Sequence, residues 1–461
     1  MSLFSALNTG ARGLSIASAG IDVTAQNVTG ANMPGYSQRR LRSTQLDPVH
    51  QSGLWVGQGA KASDVVRSTD RLLGVRLIEG TGTDAAANTL SDTLQVAESY
   101  FDNTAVTGIS ESISKFFDAL GSASADPAEP TLRRGLVNAA NTVATTMARV
   151  ATGLQGTIEN IEEAIGDHLV NVNAALEEIA QLNARIGRSG AEVGPGDLLD
   201  RRDQLIVDLA ATVGATAVLH ADGQAEVFVA GHTVVAAGDF RTLSTSTDTS
   251  GNTTVMIAMD AGEFDITSGM GGTISGLTEG RDRVSGWIDD LDELAFTFAT
   301  AVNTQHAAGF DSAGTPGVDL FTLPVSAAGA ATDIMVNTAI AADPTLLAFA
   351  GSVTALAGDG DNLAALLDVE DDATLFSSGT VGAASSAITS SVASSVAASK
   401  SDADTQSAIL GDLQILRESV SGVDTDEEAT HMLEYQSAYR AAAKVIAAAD
   451  ELLRTLLQIG G

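Results

Sequence analysis

Leu3, Leu7, Gly10, Leu14, Ala17, Ile21, Thr24 and Val28 recur in alternating steps of four and three. That spacing has a period of about 3.5 residues, the seam of a helix that packs lengthwise against other helices. Large residues (Leu7, Leu14, Ile21, Val28) alternate with small ones (Gly10, Ala17, Thr24), so a partner helix can approach closely. The pattern stops at Asn32-Met33-Pro34-Gly35-Tyr36. Pro34 cannot continue a helix and holds Met33 extended, and Gly35 can supply the positive φ of a turn.

The far end of the chain mirrors this seam. Met432, Tyr435, Tyr439, Ala442, Ile446, Ala449, Leu453 and Leu456 again step by three and four. Thr425-x-x-Glu428 reads as a capping box that starts this last helix. Two heptad-patterned helices at opposite ends predict an antiparallel pair of termini, with the chain running out and back between them.

Between the ends, Ser37 to about Leu73 reads as extended, with turns at Asp47-Pro48 and Ser52-Gly53 and strand pieces at Trp55 and Val56. Helical patterns cover Leu72–Tyr100 (weakened by Gly80 and Gly82), Ser110–Leu120, Asp197–Leu209, Thr273–Ala307 and Ser385–Val420. The longest runs from Thr131 to Ile186, after a break at Asp126-Pro127 and Glu129-Pro130. Its second half keeps register at Ile158, Ile161, Ile165, His168, Val172, Ala175, Ile179, Leu182 and Ile186. At 1.5 Å per residue it predicts a rod of about 80 Å, which needs a partner along its length. Ser189-Gly190 and Gly194-Pro195-Gly196 end it.

From Ala215 the pattern changes to alternating or β-branched segments: Ala215–Val218, Glu226–Ala230, Thr233–Ala236 and Thr253–Met259. Asp222-Gly223 signals a hairpin between the first two. The Ser/Thr run Thr242–Thr254 reads as a turn-rich loop, and Gly269–Gly272 as the return hinge. A Gly-rich loop follows the Thr273–Ala307 helix, at Gly309–Gly317. The predicted fold is therefore mainly α with an inserted β domain, a long-helix bundle and coiled coil formed by the N- and C-terminal segments. Residues 1–46 are the N-terminal helix and turn. Residues 47–209, 271–320 and 376–424 form a helical body, 210–270 the β insertion, 321–375 a weakly patterned outer region, and 425–461 the C-terminal helix.

Composition narrows the function. The 461 residues carry a formal net charge of -34, yet residues 1–46 hold Arg12, Arg39, Arg40 and Arg42 against Asp22 alone. The balance excludes general nucleic-acid binding and an anionic membrane surface as partners. Hydrophobic residues make up 44% but aromatics only 4%, which suits close-packed long helices. There is no Cys, so no disulfide scaffold and no thiolate chemistry. Asn8, Arg12, Ser15 and Ser18 interrupt the N-terminus, so no signal-peptide core is expected, and no run approaches the roughly 18 apolar residues of a membrane span.

Candidate chemistry is sparse. The six histidines show no metal-ligand spacing, so no metal site is expected. His168 falls in a helical seam, and His306 near a helix end reads as structural. Asp359-x-Asp361 resembles the start of a calcium loop, but Leu363 stands where the next oxygen belongs. Ser112-x-x-Lys115 lacks its companion motifs. Gly269-Met270-Gly271-Gly272 fails the dinucleotide pattern. Glu162-Glu163, Glu177-Glu178 and Glu427-Glu428 are adjacent on helices and read as solvated faces. No catalytic residue and no cofactor is expected. Residues 322–375 are the one stretch in which a carried enzyme could lie, and they hold no His.

Ala25-Gln26-Asn27-Val28-Thr29-Gly30-Ala31-Asn32-Met33-Pro34-Gly35-Tyr36-Ser37 resembles the N-terminal signature of the bacterial flagellar rod, hook and hook-associated axial proteins, with Gly30 and Met33 where that family often has Asn and Thr. Ser421-Gly422-Val423-Asp424, Glu427-Glu428, Tyr435-Gln436-x-x-Tyr439 and Ala443-Lys444-Val445-Ile446 are similar to its C-terminal signature. Gly196 through Leu205, Gly271-Gly272 with Leu277 and Arg281-Asp282, Val302-Asn303-x-x-His306 and Gly309-Phe310-Asp311 resemble the hook-associated branch in particular, against rod or hook proteins.

The resemblance implies a structural junction component, exported without a cleaved signal and located in the extracellular flagellum between hook and filament. It implies a ring of copies touching the hook protein and a second hook-associated junction protein, with no catalysis, nucleic acid or membrane. Its assembly residues would be Leu3, Leu7, Leu14, Ile21 and Val28. The turn would be held by Asn27, Asn32, Pro34, Gly35 and Tyr36. Met432, Tyr435, Tyr439, Ile446, Leu453 and Leu456 would both assemble and receive an export chaperone. Before assembly the terminal helices are expected to be largely unfolded.

Overall fold

In the computed structural model, residues 3–51, 54–101, 108–188, 196–220, 222–249, 251–354, 356 and 358–459 are described. The expected breaks at Ser52-Gly53, Ser189-Gly190 and Gly194-Pro195 lie outside them.

The first helix, α1 (Leu3–Gly30), ends one turn before Pro34. A long hairpin follows, built from β1 (Arg39–Gln45), β2 (Val49–Gln51), β3 (Leu54–Val56) and β4 (Ala60–Arg67). β1 pairs with β4 from Arg39↔Arg67 to Gln45↔Ala60, and β2 with β3 at the far end. Three helices come next: α2 (Arg71–Glu98), α3 (Ile109–Ala125) and α4 (Pro130–Arg188). α2 is unbroken through Gly80 and Gly82, because packing replaces the lost propensity. A side chain at Gly82 would strike the Ala210 carbonyl, and one at Gly80 would press on Leu413. Pro130 opens α4 at a position where the missing N–H costs nothing.

At 59 residues, α4 is a rod of about 88 Å, and its two halves serve different cores. Leu136, Ala140, Val143, Met147, Val150 and Leu154 face the first. Ile161, Ile165, Leu169, Val172, Leu176, Ile179 and Ile186 face the second. His168 is half-buried beside that stripe rather than in it; Leu169 holds the seam position.

The second core is closed by α5 (Gly196–Val213) and the β insertion. β5 (Thr216–Leu219), β6 (Ala225–Val229), β7 (His232–Ala236) and β8 (Asp239–Phe240) form one antiparallel sheet in that order. β9 (Leu243–Thr247), β10 (Thr253–Met259) and β11 (Gly262–Asp265) form another, ordered β11-β10-β9. Ala230 and Gly231 both have positive φ, which the two-residue turn between β6 and β7 demands. The Ser/Thr run expected to be loop contains β9 at Leu243–Thr247 and the start of β10 at Thr253, with a turn between them. Leu243 is buried, and the β-branched threonines suit a strand whose hydroxyls stay in water.

The chain re-enters the body through α6 (Gly272–Ala308), then β12 (Phe321–Thr322), α7 (Ala330–Asp333), β13 (Met335–Val336), α8 (Thr338–Ala342) and α9 (Asp361–Asp371). This stretch lines the first core: Phe321, Ile334, Val336, Ile340, Leu347, Phe349, Leu363 and Leu366 are buried there. Phe116, Phe117, Phe298 and Phe321 meet edge-on or tilted at 5.3–6.2 Å. The weak pattern of residues 321–375 thus arises from short elements that each bury one to three residues, too few for a period to show.

Two helices close the chain, α10 (Val381–Ser421) and α11 (Thr425–Ile459). One stretch within Val381–Gln458 is long and apolar enough by length and composition to cross a membrane, against the expectation of none. Val381, Ala384, Val392 and Val396 are buried in the protein's own core, and 28% of the apolar window as a whole is buried.

Candidate assembly site

α1 and α11 run antiparallel with small residues at the contact. A side chain on Gly10 would come within 2.9 Å of Ile446, and one on Gly20 within 2.4 Å of the Tyr435 ring. The buried face of α1 is Gly10, Ala17, Gly20, Val23, Thr24, Asn27 and Gly30. Leu3, Leu7, Leu14 and Ile21 flank it half-buried, and Val28 stands 39% exposed, off the contact. On α11, Met432, Tyr435, Ile446 and Leu453 are half-buried, Tyr439 and Leu456 are exposed, and Ala449 and Glu428 are buried. The small residues of α1 therefore receive large side chains of α11, Tyr435 against Gly20 and Ile446 against Gly10. Phe4, Leu433, Val445, Leu452, Leu456 and Leu457 face solvent.

At its C-terminal end α1 meets a buried polar joint. The Asn27 amide donates to the Arg39 carbonyl and to Glu428 Oε1, both at 2.8 Å. Asn27 Oδ1 accepts from the Arg39 N–H at 2.9 Å and the Tyr36 hydroxyl at 3.0 Å. Gln38 Nε2 donates to the same Glu428 oxygen at 2.9 Å. Glu428 is 2% exposed, which corrects its reading as a solvated, capping-box residue. Asp424 caps α11 instead, accepting from the N–H groups of Asp426 and Glu427. Glu162 also departs from the solvated reading, while Glu178 keeps its exposed face and forms a surface ion pair. Glu162 pairs with Arg281 and accepts from the Thr253 N–H, and Glu178 takes both arms of Arg201.

The turn motif works by close approach. Tyr36 folds back so that its ring occupies the space a side chain on Gly30 would need. Burial raises the Tyr36 pKa, with Arg39 opposing, so the phenol keeps the proton it donates to Asn27. Gly35 has φ +77° and abuts Gln204. Asn32, Met33 and Pro34 are exposed.

Gln204 belongs to the interior motif on α5, and the same motif receives the root of the hairpin. Arg39 Nη2 reaches Asp197 at 2.5 Å and Asp200 at 3.0 Å. Arg67 reaches Asp200 at 3.2 Å and Asp203 at 2.6 Å. Burial pushes the Asp200 carboxyl up, while Arg67 and Arg39 pull it down. Backbone bonds from Gln38 N–H to the Ser421 carbonyl and from Ser68 N–H to the Gln38 carbonyl complete the junction. Sequence spacing could not show this role of residues 196–205, because their partners lie more than 130 positions away.

The remaining motif residues are structural. Asn303 clamps both backbone groups of Phe321. His306 is fully buried; its Nε2 accepts from the Ala348 N–H, leaving Nδ1–H to donate to the Val318 carbonyl. Burial lowers its pKa. Asp359 is occupied by the N–H groups of Gly351, Ser352 and Asp361. The Ser112 hydroxyl is bound to the Ile109 carbonyl. Among the described residues, no three His, Asp or Glu side chains converge as metal ligands.

The helical domain profile of the flagellar hook-associated protein FlgK matches residues 94–321, and the C-terminal profile of the flagellar basal body rod FlgEFG proteins matches 418–459. The chain is 26% identical to flagellar hook-associated protein 1 of Salmonella typhimurium, over 69% of this chain and 59% of that one. It is 28% identical to that of Escherichia coli K12, over 69% and 60%. It therefore spans under two thirds of the length of these two relatives. With the Bacillus subtilis protein of the same name the match is 26% over 100% of this chain and 99% of that one. The solved flagellar hook junction protein FlgK of Burkholderia pseudomallei shares the fold, with a TM-score of 0.66 at 16% identity, covering 75% of this chain and 100% of that one. With its helical body and C-terminal helix matched by these profiles and its fold shared with a solved member, the chain belongs to the FlgK family of flagellar hook-associated structural proteins.

Proposed function

We propose that this chain joins the flagellar hook to the filament as a non-catalytic junction protein of the extracellular flagellum, and that it assembles into a ring through its paired terminal helices. The observation that carries this reading is the α1–α11 pair itself. The α1–α11 contact and the Asn27–Glu428 joint unite the two chain ends, while Phe4, Leu433, Val445, Leu452, Leu456 and Leu457 of the same helix pair face solvent. Exposed large apolar residues gathered on one pair of helices mark a surface that another molecule covers. The partners are further copies, the hook protein, a second hook-associated junction protein and an export chaperone on α11. Neighbouring copies complete the packing of the paired terminal helices on assembly.

Electron microscopy of flagella from a strain lacking this chain is the test. Hooks without filaments are expected, and restored filaments once the chain is supplied. Removing Leu3–Val28 or Met432–Leu456 should leave a soluble folded middle that no longer attaches to hooks. Retained attachment after either deletion overturns the terminal-helix reading.

A further inference from the structure

The hairpin between residues 39 and 67 has too little of its own to stand on. No described side chain from residue 40 to residue 67 is buried. A two-stranded ribbon is at best marginal alone in water. This one is held at its root by Arg39 and Arg67, and at mid-length by Arg12 donating to the Gln58 carbonyl and by Gly59 against Thr9. Beyond that point, among the described residues, no hydrogen bond or ion pair ties it to the rest of the chain. Its tip carries Leu54 at 70% and Trp55 at 72% exposure, with the His50 ring edge-on to the indole at 5.2 Å.

Two observations indicate what covers the tip. The contact of Gly59 with Thr9 carries it toward the start of α1, the end where Phe4, Leu452 and Leu457 are also exposed. The exposed Leu54 and Trp55 thus add to the exposed apolar residues at that end of the helix pair. Residues 39–67 also hold five basic and two acidic residues, in a chain whose net charge is -34. Arg42 and Lys61 make no ion pair among the described residues. The surface most complementary to a basic, tryptophan-tipped ribbon is the acidic body of this same protein.

We propose that the hairpin is a clasp between copies, in which Trp55 and Leu54 of one chain seat on a second copy while Arg42 and Lys61 face its acidic surface. This rests on the assembly reading above and names the element that reaches the neighbour. The test replaces Trp55 with a benzophenone-bearing residue in the full chain, expressed in flagellated cells that lack their own copy, with the same residue at exposed Val325 as control. Irradiated, purified flagella should yield an adduct of twice 46.9 kDa from position 55 alone, with both peptides from this chain. Arg42→Glu with Lys61→Glu should cut its yield about fivefold, as expected for two exposed pairs. A link to another protein, a link within one chain, or no adduct while the chain is present in the flagella overturns the clasp and leaves the junction reading intact. Absence of the chain from the flagella overturns both.

Discussion

Asn27 and Glu428 stand 401 residues apart in the chain and 2.8 Å apart in the fold. The bond joins the last turn of α1 to the first turn of α11, so it sets where the two seams come into register. A buried polar contact in a helix seam does this at some cost in stability, because other registers leave the polar groups unpaired. Glu428→Ala leaves the Asn27 and Gln38 amides without an acceptor and should cost about 2 kcal/mol. Glu428→Gln should cost far less, since both amides use the one Oε1 that glutamine retains. Asn27→Asp should be worse than either, as it turns an oxygen toward the Arg39 carbonyl and Glu428. Denaturant unfolding followed by circular dichroism separates the three.

Gly20 and Gly13 lie on one helix but face different neighbours. A methyl group at Gly20 meets the Tyr435 ring at 2.4 Å, while one at Gly13 meets Ala442 Cβ at an ordinary 3.4 Å. Gly20→Ala should therefore open the helix pair, seen as faster proteolysis of α11. Gly13→Ala should be neutral or stabilise by up to about 1 kcal/mol through helix propensity.

Asp200 bridges Arg39 and Arg67, which also pair with Asp197 and Asp203. Asp200→Ala should cost about 1–3 kcal/mol, because each arginine loses one acceptor and keeps another. The pH dependence has a definite sign. The folded carboxyl holds its proton more tightly than the unfolded one near 3.8. Its contribution is thus full below that pH and lost as pH rises through the folded value. Melting temperatures of the wild type and Asp200→Asn across pH 3–6 check this: the component that falls with rising pH should vanish in the variant.

His306 titrates the other way. Its folded pKa lies below 6.5 because burial disfavours the imidazolium. Above that pH both states are neutral; as pH falls below it the unfolded chain takes up a proton that the folded chain refuses, and stability drops. The wild type should lose stability as pH falls below 6.5. The His306 ring signals in NMR should remain those of the neutral tautomer below 6.5, where a free imidazole is already charged.

Phe349 tests whether residues 321–375 are integral to the body. The ring is 1% exposed and lies under the Arg133 guanidinium at 4.3 Å. Phe349→Ala should cost about 3–5 kcal/mol. Deleting 322–375 should yield an insoluble or unfolded chain, and a soluble deletion variant with native helix content would show that this stretch is dispensable.

The sequence by itself determined the elements whose pattern is long enough to repeat. The seams at Leu3–Val28 and Met432–Leu456, the Thr131–Ile186 rod, the Pro34-Gly35 stop and the β-branched strands after Ala215 each announce themselves through period or turn chemistry, which are properties of local sequence. The tertiary structure alone decided which residues of those seams make contact and what the polar ones do. Val28 fits the heptad but lies off the contact, since Gly20 and Gly30 let Tyr435 and Tyr36 approach on another face. Glu428 fits a capping box and a solvated pair equally well; only the arrival of Asn27 and Gln38 from the other end of the chain makes it a buried joint. The 321–375 stretch reads as patternless because each of its short elements buries one to three side chains, and a core assembled from such pieces has no period to detect. Local spacing records how a segment folds, whereas partnership across hundreds of residues exists only once the chain has brought its two ends together.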